Sequence, residues 1–66
     1  MQVHVNGEAR EIPDGLTVHG LLLTMQIDGQ QVAVELNAQV VRRVNHAATS
    51  LQPGDQVEIV TFVGGG

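Results

Sequence analysis

The stretch Val32-Ala33-Val34-Glu35-Leu36-Asn37 alternates Val32, Val34 and Leu36 with Ala33, Glu35 and Asn37. A period of two puts successive side chains on opposite faces of a strand, and here the Ala33 side is also fairly apolar, so a central strand is expected. Further along the chain, Val40-Val41 fits a short strand, and residues 45–50 are polar and alanine-rich, suited to an irregular connection or one helical turn. In Gln52-Pro53-Gly54-Asp55, proline and glycine take the two central positions of a type II turn, after which residues 56–63 alternate as a last strand. Before the central stretch, Thr17 can cap a helix in which Val18, Leu21, Leu22 and Met25 fall at i, i+3, i+4 and i+7, a single apolar stripe. Gly20 weakens this helix, and Asp28-Gly29 is expected to stop it. Before Pro13-Asp14-Gly15, Val3 and Val5 alternate with Gln2, His4 and Asn6, and Asn6-Gly7 suits a type I′ hairpin into a strand through Arg10-Glu11-Ile12. The order is β-β-α-β-(β)-β. One striped helix and four or five short strands bury their apolar faces together as a two-layer α+β domain, a mixed sheet with the helix packed across one face.

Sixty-six residues leave room for one small core. The chain is 42% hydrophobic and 15% charged, a balance that favours a compact globule over a disordered tail. There is no cysteine, which excludes disulfides, thiolate metal sites and thiol nucleophiles. Three arginines against seven acidic residues give a net charge of −4, the wrong sign for grasping a phosphate backbone, so no nucleic-acid partner is expected. The apolar run around Leu21-Leu22-Leu23 is far shorter than the roughly 20 residues of a membrane span, and Met1-Gln2-Val3-His4 carries neither leader nor myristoylation glycine. A cytoplasmic protein without a membrane partner is the expectation.

In the last strand Val57, Ile59 and Thr61 point one way and Glu58, Val60 and Phe62 the other, and Glu58 marks the second set as the solvent side. Val60 and Phe62 are then expected to be exposed, either as rim residues or as a patch for docking a partner. The sole aromatic residue of the chain sits there, and aromatic anchors are favoured at interface centres. Gly64-Gly65-Gly66 follows. A phosphate cradle would need a helix N-terminus behind these glycines, and no residues remain to build one. The plain reading is a frayed tail. The functional reading is that the Gly66 carboxylate, with no Cβ beside it, enters a narrow channel in another protein's active site. Such a carboxylate is unreactive until activated, and no nucleotide site is evident in this chain, so activation would come from a partner that uses ATP.

Four pieces, Val32-Ala33-Val34-Glu35-Leu36-Asn37, Leu51-Gln52-Pro53-Gly54-Asp55, Val57-Glu58-Ile59-Val60 and Val63-Gly64-Gly65-Gly66, in this order and length, closely resemble the ThiS family of sulfur carriers. The resemblance implies a ubiquitin-like β-grasp domain over residues 1–63 and a flexible glycine tail over 64–66. It implies a carrier that is not itself an enzyme and binds no cofactor. A ThiF-type enzyme would adenylate Gly66, and sulfur from a cysteine-desulfurase relay would displace AMP to leave a thiocarboxylate. A ThiG-type thiazole synthase would accept that sulfur in building the thiazole of thiamin. Gly64 and Gly65 would form the flexible approach, while Val60, Phe62 and Val63 would dock against partners. Many family members have glycine where this chain has Ala38, so the turn there is expected to differ. The molybdopterin carrier of the same fold usually has a proline-containing segment before its glycines, and Thr61-Phe62-Val63 lacks it. A sulfur carrier for another pathway such as molybdopterin, a TGS-like binding module and a protein-conjugating modifier share parts of the pattern and stand as alternatives.

His4, His19 and His46 are widely separated with no carboxylates at ligand spacing, so they read as surface polar groups and no metal is assigned. Asp14 and Asp55 sit in expected turns, where aspartate bonds nearby amides, and Arg42-Arg43 reads as a solvated pair.

Overall fold

The computed structural model describes residues 1–62. The chain opens with the hairpin β1 (Gln2–Val5) and β2 (Glu8–Glu11), joined by Asn6-Gly7. Asn6 has φ 51° and Gly7 φ 85°, the two positive values that a type I′ turn requires. Helix α1 spans Val18–Thr24, and the Oγ1 of Thr17 accepts a 3.0 Å hydrogen bond from the Gly20 amide. A Cβ built at Gly20 would lie 2.6 Å from Leu16 Cδ1, a contact that a shift of that side-chain end relieves.

The helix stops before Asp28-Gly29. Gln26 takes φ 60°, its amide donates to the Leu23 carbonyl, and the Ile27 amide donates to that of Leu22. This is a Schellman ending made without glycine. Asp28 instead begins a short 3-10 helix, Gly29–Gln31, by accepting from the Gln30 amide. Strands β3 (Val32–Leu36) and β4 (Gln39–Val41) form a second hairpin through Asn37-Ala38. A 3-10 helix (Arg43–Ala48) then leads to β5 (Gln56–Thr61). The turn before β5 is as expected: Gly54 has φ 84°, and the Asp55 amide donates to the Gln52 carbonyl.

The five strands lie in the order β2-β1-β5-β3-β4. The middle position belongs to β5, which runs parallel to β1 and antiparallel to β3. The strand expected to be central, β3, is interior but sits one place off the middle. Side chains of Val3, Val5, Val32, Val34, Val57 and Ile59 share one face with Val18, Leu21 and Leu22 of α1, and together with Ile12 and Leu51 they make the core. Met25 completes the helical stripe only in part, packing half-buried against that core. Leu51 is drawn in because the chain from Thr49 to Leu51 is laced to the start of α1, with Val18 donating to Thr49 and Leu51 to Leu16. No helix among the described residues is long and apolar enough to cross a membrane.

Two asparagines clasp the middle strand. Asn6 Oδ1 accepts from the Ile59 amide at 2.7 Å, and its Nδ2 donates to the Ile59 carbonyl at 3.3 Å. The side-chain amide thus continues the β1 edge where the backbone turns away. Asn37 does the same at the other end, accepting from the Gln56 amide at 2.9 Å and donating to Asp55 Oδ1 at 3.0 Å.

Both asparagines sit at positive φ, and so does Ala38 at 71°. Alanine is strained there, because its Cβ crowds the carbonyl in the left-handed region. Ala38→Gly is expected to raise stability by about 1 kcal/mol in urea unfolding. Asn6→Gly keeps the turn but strands the Ile59 amide and carbonyl, and is expected to cost about 1–3 kcal/mol in the same measurement.

Candidate functional site

The alternation that buries Val57 and Ile59 turns the intervening residues of β5 to the face opposite α1. Val60 is 58% exposed and Phe62 59%, as the parity of the sequence requires. Phe62 follows the end of β5 and is held by its amide, which donates to the Gln31 carbonyl at 2.9 Å. Val60 stands opposite Ala33 of β3. Val63, Gly64, Gly65 and Gly66 lie outside the described residues. Thr61, placed with the inward set, is exposed at the strand end.

The structure adds Val40 to this face. It is 70% exposed and stands opposite Glu35, whose other neighbour is Glu58. The signal was available in the pair Val40-Val41: in a two-sided strand only one of two adjacent valines can face the core, and here Val41 is the half-buried one. The open face therefore presents Val60, Phe62 and Val40 around two glutamates. Among the described residues this face assembles no acid–base or nucleophile–base pair.

The remaining candidates take structural places. His46 is not a surface group: it is 4% exposed, and its Nε2 lies 3.1 Å from the Val41 carbonyl. A carbonyl only accepts, so Nε2 carries the hydrogen. The 3-10 helix folds the ring under the chain, a placement that residue spacing does not reveal. His46, His19, Asp28 and Arg43 border an open cleft of about 260 Å³. His19 is exposed on α1, and half-buried His4 faces Gln56 at 3.4 Å. No group of three metal-ligating side chains exists among the described residues. Asp55 serves its turn, accepting from the Gln52 amide at 2.7 Å. Asp14 lies 3.2 Å from the Met1 amino nitrogen, and Arg42 and Arg43 are exposed.

Exposure and burial therefore separate by face. Phe62→Ser is expected to shift the unfolding free energy by less than about 0.5 kcal/mol. His46→Leu, which strands the Val41 carbonyl, is expected to cost about 1–3 kcal/mol, both read by urea titration.

A model of the ThiS family matches residues 3–66. Over all 66 residues the chain is 44% identical to a thiazole synthase of Magnetococcus marinus, of which it covers 20%. A second thiazole synthase, from Paramagnetospirillum magneticum, is 39% identical with the same coverage, so the chain spans about a fifth of the length of these relatives. The sulfur carrier protein ThiS of Escherichia coli is 37% identical over the whole of both chains. The crystal structure of the thiamine biosynthesis protein ThiS of Geobacter metallireducens superimposes over the whole of both chains with a TM-score of 0.87 and 36% identity. The sheet order, the helix across one face and this superposition make the fold a ubiquitin-like β-grasp. With the family model covering nearly its whole length, the chain belongs to the ThiS family.

Proposed function

We propose that this protein is a sulfur carrier for the thiazole of thiamin, with Gly66 bearing the sulfur. The observation that carries the reading is the end-to-end similarity to the Escherichia coli sulfur carrier, at 37% identity, within a family match that runs to residue 66. The two relatives named thiazole synthase add the destination.

In this reading the carrier is a protein co-substrate. A ThiF-type enzyme joins the Gly66 carboxylate to AMP from ATP, releasing pyrophosphate, so that the acyl carbon gains a good leaving group. A persulfide of the cysteine-desulfurase relay attacks that carbon through its terminal sulfur, AMP departs, and a thiol then reduces the resulting acyl disulfide by two electrons to free the thiocarboxylate. The thiocarboxylate is soft, nucleophilic and ionised near neutral pH, so a ThiG-type thiazole synthase can take the sulfur without catalytic help from the carrier. Gly64 and Gly65 put no side chain between the folded domain and the reacting group, which suits entry into a narrow channel. Val60, Phe62 and Val63 supply the docking surface, two of them exposed in the structure. No cofactor belongs to the carrier, and the cycle runs in the cytoplasm.

Removal of Gly66 is expected to abolish ATP–pyrophosphate exchange by the ThiF-type enzyme of the same organism while leaving the urea midpoint unchanged. Exchange that persists at the full rate would contradict the assignment of Gly66. Phe62→Ser is expected to raise the carrier concentration needed for half-maximal exchange by about tenfold, the loss typical of one aromatic anchor.

A further inference from the structure

On the face turned away from α1, Glu35 of β3 stands directly opposite Glu58 of β5. Both strands are interior, so neither glutamate can swing over a sheet edge without crossing another strand. Like charges opposed across neighbouring strands destabilise a sheet. Nothing in the fold relieves them: among the described residues, ion pairs form only at the Met1 amino group, with Glu11 and Asp14. Glu35 is itself half-buried.

The surroundings of the pair are apolar. Val40 flanks Glu35 across the sheet, Val60 and Ala33 form the next cross-strand pair, and Phe62 follows. Val40, Val60 and Phe62 are each more than half exposed. A partner that covers these apolar side chains must also take the two carboxylates out of water. That desolvation is costly unless the partner brings a cation into the same place. A neutral or acidic surface is therefore a poor occupant, and one with an arginine or lysine set among apolar side chains is a good one. A guanidinium suits the geometry best, since its planar fork can donate to two carboxylates at once.

Resting on the function proposed above, we propose that the Glu35–Glu58 pair with Val40, Val60 and Phe62 is the seat of thiazole synthase, which inserts a basic side chain between the two carboxylates. The choice of occupant comes from the relatives in which the counterpart of this whole chain makes up 20% of a thiazole synthase. Covalent linkage there holds the two at high effective concentration, which makes the synthase the natural occupant of the exposed apolar face. The opposed carboxylates then act as a specificity element: unfavourable in the free carrier, and relieved only on the right surface.

The test uses the whole carrier and the purified thiazole synthase of the same organism, with binding followed by calorimetry at low and moderate salt. Doubly substituted Glu35→Gln, Glu58→Gln carrier is expected to bind about tenfold more weakly and to lose most of the salt dependence. Its urea midpoint should be equal to or higher than that of the natural chain, because a repulsion has been removed. Glu35→Lys with Glu58→Lys should abolish binding while the circular dichroism spectrum stays folded. If the natural chain binds and the neutralised chain binds equally well, the electrostatic seat is wrong while the carrier function stands. If neutralisation impairs reaction with the ThiF-type enzyme and leaves synthase binding intact, the occupant is wrong. If the natural chain neither binds the synthase nor passes sulfur to it, the functional reading falls and the seat with it.

Discussion

The structure depends on holding β5 in the middle of the sheet. This strand buries Val57 completely and Ile59 nearly so, pairs parallel with β1 on one side, and pairs antiparallel with β3 over five residues on the other. A parallel pair cannot be closed by a tight turn, so the intervening chain must cross over, and α1 with its apolar stripe covers the buried face. The β1 pairing is short, only two residues in register. Asn6 and Asn37 make up the difference by spending their side-chain amides on the backbone of Ile59 and of Gln56. Both sit at the tips of hairpins in left-handed conformation, where asparagine is better tolerated than most residues.

That arrangement decides where function can be written. Alternation along β5 commits Val57 and Ile59 to the core and releases Val60 to the open face, with Phe62 just beyond the strand. The core is built of valine, leucine and isoleucine from the sheet, from α1 and from the flanking Ile12 and Leu51, while the exposed side chains contribute little to it. Within the proposed function this division is useful, because the face assigned to docking can change with little effect on the fold. On that open face Glu35 and Glu58 stand opposite each other.

Much of this was legible in the residues. The alternation in Val32-Ala33-Val34-Glu35-Leu36-Asn37 marks β3 with one residue too many, since Asn37 already belongs to the turn, Asn6-Gly7 and Pro53-Gly54 specify their turns, and Thr17 caps α1 as its hydroxyl suggests. The parity of β5 correctly exposes Val60 and Phe62. The helix end was hidden because Gln26 takes a position usually filled by glycine, so the first visible stop signal, Asp28-Gly29, lay too far along. The burial of His46 was hidden because it depends on a 3-10 turn folding the ring toward Val41, a tertiary event with no local pattern. The middle place of β5 was hidden because alternation reports how many faces of a strand are buried and says nothing about its order in the sheet. At Ala38 the turn takes a positive φ, which strains an alanine and which glycine would accept freely.

Within the proposed function, the folded domain presents and orients, and the chemistry resides in one carboxylate. The most direct test is high-resolution mass spectrometry of the fragment beyond Arg43, taken from protein isolated out of cells that are making thiamin. That fragment contains no methionine, so sulfoxide cannot mimic the change. The account predicts replacement of one oxygen by sulfur, localised to Gly66. An unmodified Gly66, in cells where the activating enzyme and the sulfur donor are demonstrably active, would contradict it.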